Sequence, residues 1–157
     1  MRKGFLFVIS GPSAVGKTSV VKEILKRCDY LERIITCTTR PKRADESDGI
    51  DYFFMSSETF EKHYQNGDFV ECSEVYGNSY GVLLSSVMEK INAGRHVVLV
   101  LNWEGFLKIK DLFHDFVVGF FISPPSMEAL EERIRNRGSD TAEDIAKRLE
   151  MAREDMS

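Results

Sequence analysis

Eight residues near the start of the chain, Gly11, Pro12, Ser13, Ala14, Val15, Gly16, Lys17 and Thr18, have the types and spacing to hold a run of phosphates. They fit G-x-x-x-x-G-K-[ST], the phosphate-cradling loop. Glycines let the backbone curl until successive N–H groups point inward at an anion. A helix starting near Lys17 adds the positive end of its dipole. Lys17 brings a mobile full charge for terminal phosphates, and the Thr18 hydroxyl is the magnesium ligand of such loops. The competing explanation is a strand-to-helix turn that is merely rich in small residues. The flanking sequence decides against it: an apolar run at 5–9 leads in and a helical pattern at 19–26 leads out, the context the motif needs. A second pair of cations, Arg40 and Arg43, can converge on one anion if the backbone bends at Pro41. They sit in a polar segment, 36–49, which composition alone leaves open between a functional loop and a solvated basic one.

The elements that must position these groups follow from periodicity. Residues 5–9 read as a strand buried on both faces, as in a parallel sheet. Residues 19–27 place Val20, Val21, Ile24 and Leu25 at helical spacing. A short second strand is expected over 33–37 and an aromatic strand over 52–55. A helix capped by Ser57 follows to about Asn66, with Phe60 and Tyr64 on one face. Residues 69–75 alternate as a strand, and 76–81 have turn chemistry with two tyrosines. Helices are expected over 84–93 and 103–110, and core strands over 96–101 and 116–122. Ser126 caps a helix to about Asn136. Thr141 caps a last one, with Glu143 or Asp144 completing the box. Strands alternating with helices give an α/β fold with a mainly parallel sheet, with residues 36–82 as a small antiparallel insertion.

Bulk properties set limits. A chain of 157 residues, 43% hydrophobic and 29% charged, suits one soluble domain with its own core. A net charge of −4 gives no electrostatic case for nucleic acid as the main partner. Cys28, Cys37 and Cys72 lack metal-ligand spacing and read as free thiols in a reducing, cytoplasmic compartment. No apolar stretch reaches membrane-spanning length, and no signal peptide precedes the first strand.

Further motifs extend the pattern over essentially the whole chain. Thr38-Thr39-Arg40, Arg43 and Gly49 are followed by Asp51-Tyr52-Phe53-Phe54. Then come Phe69-Val70-Glu71, Gly77-Asn78-Ser79-Tyr80-Gly81, Asn102-Trp103-Glu104-Gly105, Pro124-Pro125-Ser126, Arg133 to Gly138, and Lys147-Arg148. Their order and spacing resemble guanylate kinase, a P-loop nucleoside monophosphate kinase that transfers the terminal phosphoryl of ATP to GMP. The resemblance implies a P-loop core (1–35 and 83–125), a GMP-binding insertion (36–82) and a lid with its following helix (126–157). It implies ATP and GMP or dGMP as partners and Mg2+ as cofactor. Arg40, Arg43, Tyr52 and Tyr80 would hold the GMP phosphate, a task suited to guanidinium forks and phenol donors. Glu71 would accept from guanine N1–H and the 2-amino group, Thr36 would offer a hydroxyl to the base, and Asn102 would assist. Lys17 with Arg133, Arg137 and Arg148 would neutralise the transferring phosphoryl. Without the resemblance, the same arginines read as helix-surface partners of Glu128, Glu131 and Glu132.

Four positions depart from the family pattern. Val100 and Asn102 stand where an Asp-x-Asp pair is usual, so help with metal or guanine is weakened unless Glu104 or Asp51 compensates. Val82 replaces a hydroxyl expected near guanine O6. Ala14 replaces a common glycine at a variable motif position, where little effect is expected. The family also continues with a further strand, a residue near adenine and a last helix, which no stretch here supplies, so the chain reads as a portion of a longer protein. The alternative function is a weak or inactive module that binds GMP or a phosphorylated peptide.

Overall fold

A computed structural model describes residues 3–75, 77–136 and 141–156. Its main sheet has strand order β2-β7-β1-β8, built from β1 (Leu6–Ser10), β2 (Leu31–Arg33), β7 (His96–Val100) and β8 (Val117–Phe121), and every pair is parallel. Parallel neighbours need crossovers, and helices supply them. These are α1 (Lys17–Arg27), α3 (Leu84–Asn92) and α4 (Trp103–Phe113). The apolar runs of β1 and β7 occupy the centre because both faces there are covered. Leu6, Val8, Val97 and Leu99 pack with Ile34, Val87 and Ile109 on one side, while Ile9 and Val98 meet Val21 of α1 on the other.

The second sheet has order β4-β3-β6-β5, from β3 (Cys37–Thr38), β4 (Phe53–Phe54), β5 (Phe69–Val75) and β6 (Asn78–Leu83). It is mixed, not purely antiparallel. β3 runs antiparallel to β6 but parallel to β4, in register Cys37↔Phe53 and Thr38↔Phe54. The segment between β3 and β4 is the reason: it is long enough to return the chain to the end of the sheet from which it left. Side chains tie that segment down: Asp51 Oδ2 accepts from Ser47 N–H and Asp48 Oδ1 from Phe54 N–H, each at 2.9 Å.

Two other expectations shift. The strand expected over 33–37 is divided between the sheets, because Ile34 donates the last ladder hydrogen bond to Val98 O and is buried before the chain leaves for β3. The helix α2 (Ser57–Gln65) is capped by Ser56, whose Oγ accepts from Thr59 N–H, and only Phe60 of its expected pair is buried. The strand expected as a fourth core member, β8, joins the main sheet, paired among the described residues with β1 alone. Only its first residue is buried, and Val118, Phe120 and Phe121 are exposed.

Helices α5 (Met127–Asn136) and α6 (Ala142–Asp155) form a third packing unit. Leu130, Ile134, Ile145, Leu149 and Ala152 close around Val15 of the phosphate loop. Ser126 Oγ accepts from Ala129 N–H, and Thr141 and Asp144 form a complete capping box. No helix among the described residues is long and apolar enough to cross a membrane.

Candidate active site

The phosphate loop joins β1 to α1 with the backbone its glycines allow. Gly11 has φ +138, and a Cβ there would lie 2.3 Å from Ile122 O, so both its conformation and its close approach to the chain after β8 exclude a side chain. Gly16 precedes α1 at φ +106. Ala14 is also left-handed, at φ +66. The glycine usual there therefore has a conformational reason, and alanine stores strain of about 1–2 kcal/mol. This corrects the expectation that position 14 is inconsequential.

Lys17 folds back over the loop, donating from Nζ to Gly11 O at 2.6 Å and Pro12 O at 2.8 Å. Two cations come from the helical arm. Arg133 donates to Val15 O and Arg148 to Ser13 Oγ, both at 3.0 Å. Of the neighbouring acids, Glu131 takes a different arginine, Arg135, at 2.6 Å. Arg137 lies outside the described residues. The Thr18 hydroxyl is on the exposed first turn of α1.

Across from the loop stands the second sheet. Glu71, in the middle of β5, is 3% exposed, and its Oε1 has no hydrogen-bond partner. Burial pushes its carboxyl above the ordinary range; Lys108 and Ser73 act in the opposite direction, and nearby Glu104 adds to the rise. The Lys108 ammonium stays 3.9 Å away and bonds Cys72 O instead. Asn102 caps α4 by accepting from Gly105 N–H at 2.9 Å.

Arg40 is held by the acid that sequence reasoning missed. Glu46 Oε1 accepts from Arg40 Nη2 at 2.6 Å, and its Oε2 accepts from Arg43 N–H at 2.9 Å. Burial opposes ionisation of Glu46, but these partners outweigh it and hold the carboxyl below its usual range. The Arg40 guanidinium lies over the Tyr52 ring, 5.4 Å from its centre, and the Tyr52 and Tyr80 rings meet edge to face at 6.1 Å. Burial, with Tyr80 next, raises the Tyr52 phenol, so it is a donor at neutral pH.

One cleft of about 1220 Å³ joins these pieces. Gly11, Ser13, Lys17 and Arg148 line one end, and Thr36, Tyr52, Glu71, Tyr80 and Asn102 the other. Arg40 stands behind the tyrosines, and the Arg43 side chain is half exposed on the loop. Val82 is absent from the wall: it is fully buried in the main core, so its missing hydroxyl bears on packing there. Of the two carboxylates that could compensate for Val100, Glu104 lines the cleft, whereas Asp51 bonds Ser47 and approaches Lys22 at 3.6 Å. Two further acids, Glu154 and Asp155, reach the cleft from the end of α6. No spacing rule marks them, because they belong to the last turn of a helix that reads as packing.

Comparison with known proteins agrees with this geometry. The family model described as Guanylate kinase matches residues 3–157. A curated guanylate kinase of Thermotoga maritima is 46% identical over 151 residues, covering 96% of this chain and 72% of that protein. One from Carboxydothermus hydrogenoformans is 43% identical over 157 residues, covering 100% of this chain and 76% of its own length. The crystal structure of guanylate kinase from Anaplasma phagocytophilum superposes with a TM-score of 0.77 at 31% identity, over 99% of this chain and 72% of that one. A phosphate loop facing a buried acceptor across one cleft, together with matches along the whole chain, establishes that this protein belongs to the guanylate kinase family.

Proposed function

We propose that the cleft transfers the γ-phosphoryl of Mg-ATP to GMP or dGMP, giving ADP and GDP or dGDP, in the cytoplasm. The observation that carries this reading is Glu71 Oε1, a buried acceptor without a hydrogen-bond partner, which Lys108 approaches only to 3.9 Å, in the same cleft as Lys17. A buried carboxylate oxygen without a hydrogen bond is expensive, and a base presenting N–H groups relieves it. Guanine offers N1–H and a 2-amino group, whereas adenine has an acceptor at N1.

The acceptor phosphate would exchange Glu46 for its own oxygens on the Arg40 fork, with the Tyr52 and Tyr80 phenols donating beside it and Arg43 adding charge from the loop. Thr36, 7% exposed on the same wall, would bond the base. At the other end the backbone of residues 11–18 would wrap the ATP phosphates, Lys17 moving from the loop carbonyls to the terminal phosphates. An oxygen of the GMP phosphate bonds the γ-phosphorus, the bond from that phosphorus to the β–γ bridging oxygen breaks, and ADP leaves with the electron pair. Arg133 and Arg148 sit against the loop where charge spreads during transfer, and Arg137 belongs with them by its place in the motif. Catalysis of this kind is positioning and electrostatics.

The donor set suits Mg2+. That ion keeps several waters and asks a protein for few ligands when phosphates are present. The exposed Thr18 hydroxyl supplies one oxygen, and no group of three or more acids, histidines or cysteines is arranged around a metal among the described residues. Mg2+, when bound with ATP, would be held on the protein side by Thr18 and would supply charge neutralisation to the phosphates.

Coupled ADP release, with GMP, dGMP, AMP, UMP and CMP offered in turn, tests the reading. Turnover is expected with GMP and dGMP only among these five. Lys17→Ala should abolish turnover and leave GMP binding nearly intact by calorimetry. ADP release that ignores the acceptor, or equal loss of both functions in the variant, would refute the assignment.

A further inference from the structure

Two cations of the core reach the turn that leads into Tyr52. Arg33 ends β2 in the main sheet, paired with Val98. Successive strand residues point to opposite faces, so Arg33 shares the face of Leu31, which packs with Val21 of α1. Its neighbour Glu32 turns the other way and holds Lys90 and Arg95. Arg33 donates from Nη2 to the Asp51 carbonyl oxygen at 2.8 Å, across 18 residues of chain. The same guanidinium lies over the Tyr52 ring, 5.9 Å from its centre, and Arg40 lies over that ring as well, at 5.4 Å. The turn itself is closed by its own bonds. Asp51 N–H donates to Ser47 O at 3.0 Å, Asp51 Oδ2 accepts from Ser47 N–H at 2.9 Å, and Gly49 N–H donates to Tyr52 O at 2.8 Å. Its place against the core is set by what grips it from outside. Lys22 of α1 is exposed and stands 3.6 Å from Asp51 Oδ1, a surface pair that contributes little in water. Arg33 is half-buried and makes a close, charge-assisted hydrogen bond.

We propose that Arg33 is a positioning residue for the acceptor phosphate: it fixes the Asp51–Tyr52 backbone to the main sheet and orients the Tyr52 phenol in the cleft. The inference rests on the proposed placement of that phosphate beside Tyr52 and Tyr80. One guanidinium performs both tasks. It has several donors, of which one takes the Asp51 carbonyl, while its charge stands against the electron-rich ring. The charge has a second effect. Arg33 and Arg40 both oppose the rise that burial gives the Tyr52 phenol, and a more acidic hydroxyl is the stronger donor to a phosphate oxygen. Tyr52 lines the cleft and Arg33 does not, so the influence of Arg33 on the acceptor passes through Tyr52. The phosphate loop at the other end of the cleft is built from residues that Arg33 does not touch, and ATP binding is independent of it.

The test measures Kd for GMP and for ATP by calorimetry on the native chain, Arg33→Met, Tyr52→Phe and the double variant. Thermal melts confirm that each is folded. Arg33→Met should weaken GMP by about tenfold and leave ATP within about twofold. The double variant carries the decision. If Arg33 acts through the phenol, Arg33→Met should weaken GMP by less than about twofold in the Tyr52→Phe background. Equal losses in the two backgrounds, or parallel losses of GMP and ATP, would make Arg33 a general support of the fold and overturn the proposal. GMP binding unchanged in Arg33→Met overturns it as well. Arg33→Lys keeps the charge without the fork, should fall between the native chain and Arg33→Met, and carries the same cycle if Arg33→Met does not fold. Tyr52→Phe alone separates the inference from the reading beneath it. Weaker GMP binding in that variant upholds the phosphate site even where Arg33 proves inert, whereas unaltered binding removes the site from Tyr52 and the inference with it.

Discussion

Glu71→Gln should make the ligand-free protein more stable and the ligand-bound protein less so. The native carboxylate is 3% exposed, one oxygen has no partner, and the nearest cation is 3.9 Å away. Its pKa in the folded state is raised, with burial as the first cause. A carboxyl raised on folding favours the folded state below its unfolded pKa and loses that contribution as pH rises through the folded value. Once ionised in the folded state, the group therefore works against folding. Glutamine has the same shape without the charge, though its amide also needs partners. A buried unsatisfied polar group costs about 1–3 kcal/mol, more when charged, so a net relief of about 1 kcal/mol is reasonable. For a chain of this size that is a rise in Tm of about 2–4 °C. The gain should vanish near pH 4, where the native carboxyl is protonated. GMP reverses the order. Glutamine presents an NH2 to the donors of guanine, and losing charged hydrogen bonds of about 1.5–3 kcal/mol each weakens binding by about a hundredfold. GMP at 100 times the native Kd adds about 2.7 kcal/mol to the native protein and little to the variant. Paired melts with and without GMP, at pH 4 and pH 7, read both effects. A variant that melts lower without ligand at pH 7, or that binds GMP as the native chain does, would show that Glu71 is a structural partner of Lys108.

Two further perturbations test other parts of the site. Ala14→Gly removes left-handed strain of about 1–2 kcal/mol at φ +66 and returns about 0.4–1 kcal/mol as unfolded-state entropy, so Tm should rise by about 1–4 °C; a fall would mean the alanine methyl packs usefully against α5 and α6. Glu46→Gln breaks the 2.6 Å pair with Arg40 and should lower stability at pH 7 by about 1–3 kcal/mol, measured by urea unfolding. Because the native Glu46 carboxyl is held below its usual value, its contribution is present above the unfolded pKa and lost as pH falls below about 4 through the folded one; the two proteins should converge there, and a constant gap would refute the pairing argument.

The sequence shows most plainly what is contiguous. The phosphate loop is one unbroken motif between a strand and a helix, and its chemistry is local, so residues 11–18 are readable directly. The parallel core follows for the same reason, since the apolar runs at β1 and β7 are continuous and the helices between them are amphipathic. Glu71 is different. Nothing in its own neighbourhood distinguishes it from an outward-facing strand acid, and only resemblance to a family singles it out; its burial arises from α4, more than thirty residues later. Glu46 was illegible because an acid in a polar loop looks solvated until the loop folds back on Arg40. The parallel pairing of β4 depends on the path of a loop, which periodicity does not encode. β8 takes its expected place in the parallel sheet, but its exposure is not legible, because five apolar residues look the same whether one neighbour covers them or two. Ser56 and Ser57 are adjacent serines, and the first one caps because the helix begins one residue earlier than its hydrophobic pattern indicates.

Trp103 is the chain's single tryptophan, and it lines the cleft. It is the first residue of α4, 46% exposed, with Phe106 and Phe121 as ring neighbours at 5.0 and 6.4 Å. Its indole follows Asn102 directly, so it shares the turn against which a purine would rest. The protein thus contains its own optical gauge. Excited selectively over the five tyrosines, the emission arises from one place, and both the wetness of that place and any base stacked near it alter brightness and colour. Nucleotide titrations and stopped-flow association rates can be followed on the unlabelled chain, with each change in signal traceable to one wall of the cleft.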